Sequence, residues 1–297
     1  MTKKKIIPIL LCAALSVLVV TTCGCTTTTT QNTQSTKLTV FAAMVLTDAF
    51  NETAQAFEAN NSGVNITFNY AGSQVLATQL QQGASADVFA SADLAHMNSV
   101  QDAGLMNNSS VVIFAENKLA IIVPTANPAN ITSLSDLAKS GVKLDIGNSS
   151  TPCGMYTMQM LAIASNNSTY GSGFKNNVMA NVVSTETDVN AIVAKVALGQ
   201  ADVGIITKAD VPAAYQSKVT TITIPDSVNV LAKYPIGVVS TSSNPKLAQS
   251  WINYVTSPAG QAILQSYGFI IPATSQNTTT AAATTAMKMQ SPNGAAT

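Results

Sequence analysis

Four short segments place small, polar or glycine residues where an apolar run gives way to a helical pattern. They are AAMVLTDA at 42–49, YAGSQVLA at 70–77, SSTPCGMY at 149–156 and STETDVNA at 184–191. A helix start carries backbone N–H groups without intrahelical acceptors and the positive end of the helix dipole. It therefore holds an anion with no help from a cationic side chain. Ser73 adds a hydroxyl to its own N–H, and Thr207, at the end of another apolar run, adds a second. Two junctions belong to the first half of the body and two to the second. If the halves face each other across a cleft, the four helix starts converge on one anion. A hydrogen bond to a charged partner contributes about 1.5–3 kcal/mol, and micromolar-to-nanomolar binding needs about 8–12 kcal/mol, so some five to seven donors in a dry cleft suffice. Any one junction alone is an ordinary helix cap; the case rests on convergence.

Other chemistry is scarce. All 14 basic residues are Lys, so the bidentate guanidinium grip on phosphate, carboxylate or guanine is absent. Without the leader lysines Lys3, Lys4 and Lys5, 11 Lys face 14 acidic residues, which argues against nucleic acid as a partner. His96 is the single histidine, and its place in SADLAHMNSV reads as a surface or half-buried helical position. Asp87, Asp93, Glu186 and Asp188 are the carboxylates near strand ends, and Asp87 and Asp93 read as caps of the next helix. With no paired histidines and no metal cluster, the expectation is a binding protein and not an enzyme. Cys153 is the lone body cysteine, so no disulfide forms within the body. It reads as a small packing residue; the sharper alternative is a thiol whose pKa is lowered by helix-start N–H groups and which touches the ligand or a soft metal.

Both ends differ from the body. Residues 1–25 run from three lysines through an apolar stretch to TTCGC, a secretory leader whose end resembles a lipobox with Cys25 as the lipid acceptor. An uncleaved anchor helix is the alternative, and either places the body outside the cytoplasm. Residues 26–36 are a Thr-rich tether, and 273–297 read as a disordered tail. Asn51, Asn65, Asn130 and Asn148 head N-x-[ST] triplets, which chance supplies readily in so Asn- and Ser-rich a chain.

The elements that must position the junctions follow from periodicity. Strands are expected at 38–43, 64–71, 86–92, 201–207 and 234–240. Ala49, Phe50, Thr53, Ala54 and Phe57 make a helical stripe, as do Val189, Ile192, Val193 and Val196. Further helices are expected over SQVLATQLQQG, 93–103, SLSDLAKSG (capped by Ser133 or Ser135), GMYTMQMLAIAS and the two in 244–268. Strand–helix alternation implies parallel sheets covered by helices. Met155–Met160, Trp251, Tyr254 and Val255 read as packing residues.

The segments LTVFAAMVLTDAF, FNYAGSQVLATQLQQGASADVFASAD, TPCGMY, VVSTETDVNAIVAKVALGQADVGII and YPIGVV…SPAGQAILQSYGFIIP resemble, in order over residues 38–272, the molybdate-binding protein family of ABC importers. The resemblance implies an α/β, two-lobed Venus-flytrap fold of the type II periplasmic-binding class, each lobe a mostly parallel sheet flanked by helices. The chain would cross between lobes near 117 and 230, giving 37–117 with 231–272 as one lobe and 118–230 as the other. It implies capture of molybdate or tungstate for a permease and its ATPase by a monomer held to the outer face of the cell membrane only by its lipid, with no cofactor and no separate cation site. Carried residue by residue, the oxyanion-binding positions are Met44, Val45, Ser73, Cys153, Val189 and Thr207. Two depart from the family: Val45 stands where a serine is usual, and Thr207 where a tyrosine is usual. These departures keep open a scaffold retuned to another oxyanion or small anionic ligand; an adhesion or sensor module would bind without an importer.

Overall fold

The computed structural model describes residues 35–273. The leader, Cys25, nearly all of the tether and nearly all of the tail lie outside them. Strand β1 (Thr36–Ala43) is the first apolar run, and a 3-10 turn, Met44–Leu46, leads into helix α1 (Thr47–Asn60). The five stripe residues of α1, Ala49 to Phe57, are all buried. Strand β2 (Val64–Ala71), α2 (Ser73–Gln81), β3 (Val88–Ala90) and α3 (Leu94–Asp102) complete the first series. The 13-residue β4 (Val112–Pro124) then opens the second series. It continues with β5 (Leu144–Gly147), α4 (Pro152–Ser165), α5 (Phe174–Met179), β6 (Val182–Glu186), α6 (Val189–Ala197), β7 (Val203–Thr207) and β8 (Val219–Thr223). Strand β9 (Leu231–Val238), α7 (Pro245–Val255) and α8 (Pro258–Ser266) follow.

The strands run β2-β1-β3-β9-β4-β7-β5-β6, with β8 paired to β4 off that path. Strand β4 is shared by two halves. Its first part, Val112–Lys118, pairs with β9; its second part, from Leu119, pairs with β7 and, from Ala120, with β8. On one side β2, β1 and β3 are mutually parallel, and on the other β6, β5 and β7 are. The fold is α/β and two-lobed, and each lobe keeps its helices over a sheet. Strands β4, β8 and β9 are antiparallel to their neighbours, so the sheets are more mixed than helix–strand alternation alone suggests. Strand β9 follows β8 with no α-helix between them, whereas a parallel pair needs a long crossover, usually a helix.

Each lobe has its own core. One gathers Phe50, Phe57 and Phe114 around Trp251, with Phe50 and Phe57 edge-on to the indole at 5.6 and 5.5 Å. The other packs Leu144, Ile146, Met160, Leu161 and Ile205. Trp251, Met160 and Val255 are packing residues. The segment after Ser133 is a 3-10 turn, Leu134–Ala138, and not an α-helix; Ser133 and Asp136 close a capping box that satisfies its start. Asp93 caps α3 through the His96 N–H at 2.7 Å, and its other oxygen bonds the half-buried His96 ring at 2.7 Å. Asp87 does not cap a helix. Its carboxylate takes the Thr39 N–H at 2.8 Å and the Ser242 hydroxyl at 2.6 Å, tying β1 to the loop after β9.

Candidate functional site

All four strand-to-helix junctions open onto one cavity of about 50 Å³. By the measure of roughly 10–15 Å³ per water-sized sphere, it has room for about three to five atoms, the scale of one tetrahedral oxyanion. Met44, Val45, Ser73, Cys153, Val189 and Thr207 all line it. Its lining includes no lysine and no histidine.

Local capping decides which N–H groups remain for a ligand. In the first lobe, the 3-10 turn and α2 are preceded by Ala43 and Gly72, neither of which caps with a side chain. The N–H groups of Met44, Val45, Ser73 and Gln74 therefore have no acceptor one turn back. In the second lobe, Thr151 caps α4 by accepting the Gly154 N–H at 3.1 Å, and Asp188 caps α6 by accepting the Asn190 N–H at 2.8 Å. Each cap takes one donor and leaves the one before it, Cys153 or Val189. Pro152 has no N–H, so Cys153 is the first donor of α4. Gly154 is required by close approach: a Cβ there would lie 1.9 Å from the Asn148 carbonyl oxygen.

Ser73 is fully buried, and its hydroxyl oxygen accepts the Ala92 N–H at 2.9 Å. That bond uses a lone pair and leaves the hydroxyl proton to donate. Thr207 behaves otherwise than a free strand-end donor. It caps a short 3-10 turn, Lys208–Asp210, in a reciprocal box with Asp210. Its N–H donates to Asp210 Oδ2 at 2.6 Å, and its hydroxyl lies 3.4 Å from the Tyr234 hydroxyl. Its side chain is thus engaged within the wall.

The Cys153 thiol is not activated. Its Sγ donates to the Ile205 carbonyl at 3.3 Å, and burial pushes its pKa up, not down. Desolvation of a thiolate outweighs the nearby N–H dipoles, so the sulfur is a packing atom and the reactive alternative falls away.

Two phenols at the cavity were not expected from the sequence. Tyr234, on β9, is buried, with Thr207 as its neighbour; Tyr156 lies one turn beyond Cys153, and its hydroxyl accepts the Lys233 N–H at 3.3 Å. Burial raises both pKa values, that of Tyr156 to about 12, so both remain protonated donors. Their signal in the sequence was weak: the i+3 spacing from Cys153, and a tyrosine opening the YPIGVV run.

Three carboxylates also reach the cavity: Glu186, Asp188 and Asp210. Glu186 is lowered in pKa by its bond from Lys195, with Ser184 adding to it. Asp210 is fully buried, and desolvation raises it to about 6 against the two Thr207 bonds, with the Asp188 charge adding to the rise. Between the lobes, Gln74 Nε2 donates to the Thr187 carbonyl at 3.3 Å.

Residues 38–270 match the family model described as bacterial extracellular solute-binding protein. The chain is 38% identical over 197 residues to the molybdate-binding protein ModA of Mycobacterium tuberculosis, covering 66% of this chain and 70% of that one. With the Escherichia coli ModA it shares 29% over 209 residues, 67% of this chain and 76% of the relative. Among solved structures, the periplasmic molybdate-binding protein of Azotobacter vinelandii superposes with a TM-score of 0.68 at 21% identity, over 79% of this chain and 99% of that one. The sulfate-binding protein SubI of M. tuberculosis superposes at 0.73 with 20% identity, over 82% and 90%. Two lobes closed around a cavity of unused helix-start amides, together with a family match across nearly the whole described body, show that this chain belongs to the bacterial extracellular solute-binding proteins.

Proposed function

We propose that the protein captures molybdate or tungstate outside the cytoplasm and delivers it to an ABC permease driven by its ATPase. The observation that carries this reading is the convergence of four helix starts, with Val45, Ser73, Cys153 and Val189, on one cation-free cavity. Oriented amides in a water-poor cleft stabilise a doubly negative ion at little reorganisation cost, and they do so for oxygens without a proton. The 38% identity to a molybdate-binding relative supports the choice of anion. The site needs no cofactor and no separate cation. Cys25 would tether the body by lipid to the outer face of the cell membrane, and the protein would act as a monomer that opens and closes at its hinge.

Calorimetry with molybdate, tungstate, sulfate and phosphate tests the assignment. Heat with the first two and none with phosphate is expected; silence with both metal oxyanions would overturn it.

Val45 favours a second reading, a pocket retuned to another small anion, because its side chain offers no hydroxyl to the cavity. Val45→Ser distinguishes the two. A tenfold or greater gain for molybdate would mark the native pocket as tuned elsewhere. Little change would mean that the phenols already supply what a serine would.

A further inference from the structure

A buried carboxyl in the wall of a site for a dianion poses an electrostatic conflict. Asp210 lines the same cavity as the four helix starts and is shut from solvent. One carboxylate oxygen accepts the Thr207 N–H at 2.6 Å, and no lysine lines the cavity to offset its charge. We propose that Asp210 is a proton-linked specificity residue: the site takes up a fully deprotonated tetrahedral dianion together with one proton, which goes from solvent to the Asp210 carboxyl. The inference rests on the oxyanion reading of the cavity.

Beyond its two bonds with Thr207, no cation among the described residues around it offsets that charge. On its own turn, Lys208 is exposed to solvent. From β9, Tyr234 faces it through Thr207, and from α4 come Cys153 and Tyr156; all three stay neutral because burial raises their pKa values. Before α6, Asp188 adds a like charge, and Glu186 is already matched by Lys195. Beside α1, Asp48 shares with Asp210 a neighbouring cavity of about 150 Å³ and brings another like charge. Strand β4 presents Leu119 and Ala120 opposite Thr207 and Ile206, which bring no charge.

The sign follows from linkage. In the empty site Asp210 ionises near pH 6. A dianion in the same water-poor cavity disfavours the ionised form and shifts that value upward. Above about pH 6, binding then requires proton uptake, and affinity falls by up to about tenfold per pH unit until the bound-state value is passed; below it, affinity is flat. The proton also selects: a neutral carboxyl offers the anion a donor, whereas an ionised one repels it.

Calorimetry of the intact protein with sodium molybdate, in two buffers of different ionisation enthalpy, tests this directly. Uptake of about one proton per anion is expected near pH 8 and close to none near pH 5. Asp210→Asn keeps an acceptor for the Thr207 N–H, and it should abolish the uptake and flatten the pH slope. Tight molybdate binding near pH 8 without proton uptake would overturn the inference while leaving the oxyanion reading standing, and so would uptake that persists in the Asn variant. No molybdate binding at either pH would overturn the reading on which it rests. If that variant fails to fold, Asp188→Asn replaces it: uptake that vanishes with Asp188 would overturn the assignment to Asp210, and uptake that survives supports it.

Discussion

Ser73 is the side chain best placed to donate to an anion. It is fully buried, its oxygen is held by the Ala92 N–H, and its proton is left over. Ser73→Ala should weaken molybdate binding by roughly 10–100-fold, the worth of a hydrogen bond to a charged partner, and also lower the melting temperature because the buried Ala92 N–H loses its acceptor; equal titration curves would remove it from the site. Thr207 calls for the opposite expectation. Restoring the usual family tyrosine there looks, from the sequence, like a gain of a donor. In the structure the position is 3% exposed, capped by Asp210 and faced by Tyr234. Thr207→Tyr should therefore overpack the wall, lower stability by about 1–3 kcal/mol and yield no gain in affinity, measured by urea unfolding and calorimetry. The cavity already has a phenol, delivered from β9.

At the level of elements, the junctions work because capping is incomplete. Thr151 and Asp188 take one N–H each, and Ala43 and Gly72 cap with no side chain. Strand β5, which leads to one of these junctions, carries a liability. Asp145 is fully buried, and among the described residues its carboxylate meets no well-formed hydrogen bond, only a weak approach of the Ile146 N–H. Burial, with Glu186 nearby, raises its pKa to about 6 against the pull of Lys195. Because the folded value is raised, ionisation costs stability: the loss is absent below about pH 4, grows toward pH 6 and is complete above it. Asp145→Asn should raise the melting temperature at about pH 8 and have little effect at about pH 4. A gain that did not depend on pH would argue that the amide simply packs better.

For the whole molecule, closure joins the two lobes across the site. Gln74, at the start of α2, donates to the Thr187 carbonyl just before α6. That bond exists only when the lobes meet over the cavity, so it contributes to holding the ligand and not to folding either lobe. Gln74→Ala should speed molybdate release by about 2–10-fold, the range of a neutral hydrogen bond, with association little changed. Stopped-flow displacement measures this; an unchanged off-rate would assign closure to other contacts, such as Tyr156 to Lys233.

Periodicity and junction chemistry, as local properties, were legible in the chain. The α1 stripe, the strand at 64–71 and the helix start after Pro152 follow from side-chain spacing, proline geometry and glycine, all of which act over a few residues. The absence of arginine is equally legible, and it removes the bidentate guanidinium grip from any anion site. Pairing across long distances was not legible. Whether β9 runs parallel or antiparallel, and hence that Tyr234 reaches Thr207 from 27 residues away, depends on how the chain returns to its sheet. The state of each polar side chain was decided the same way. Cys153 is inert because Ile205 and the core enclose it, Thr207 is engaged because Asp210 folds back on it, and Asp87 holds a strand instead of a helix. Burial and partners set a group's charge and availability, and both come into being only when distant segments pack together.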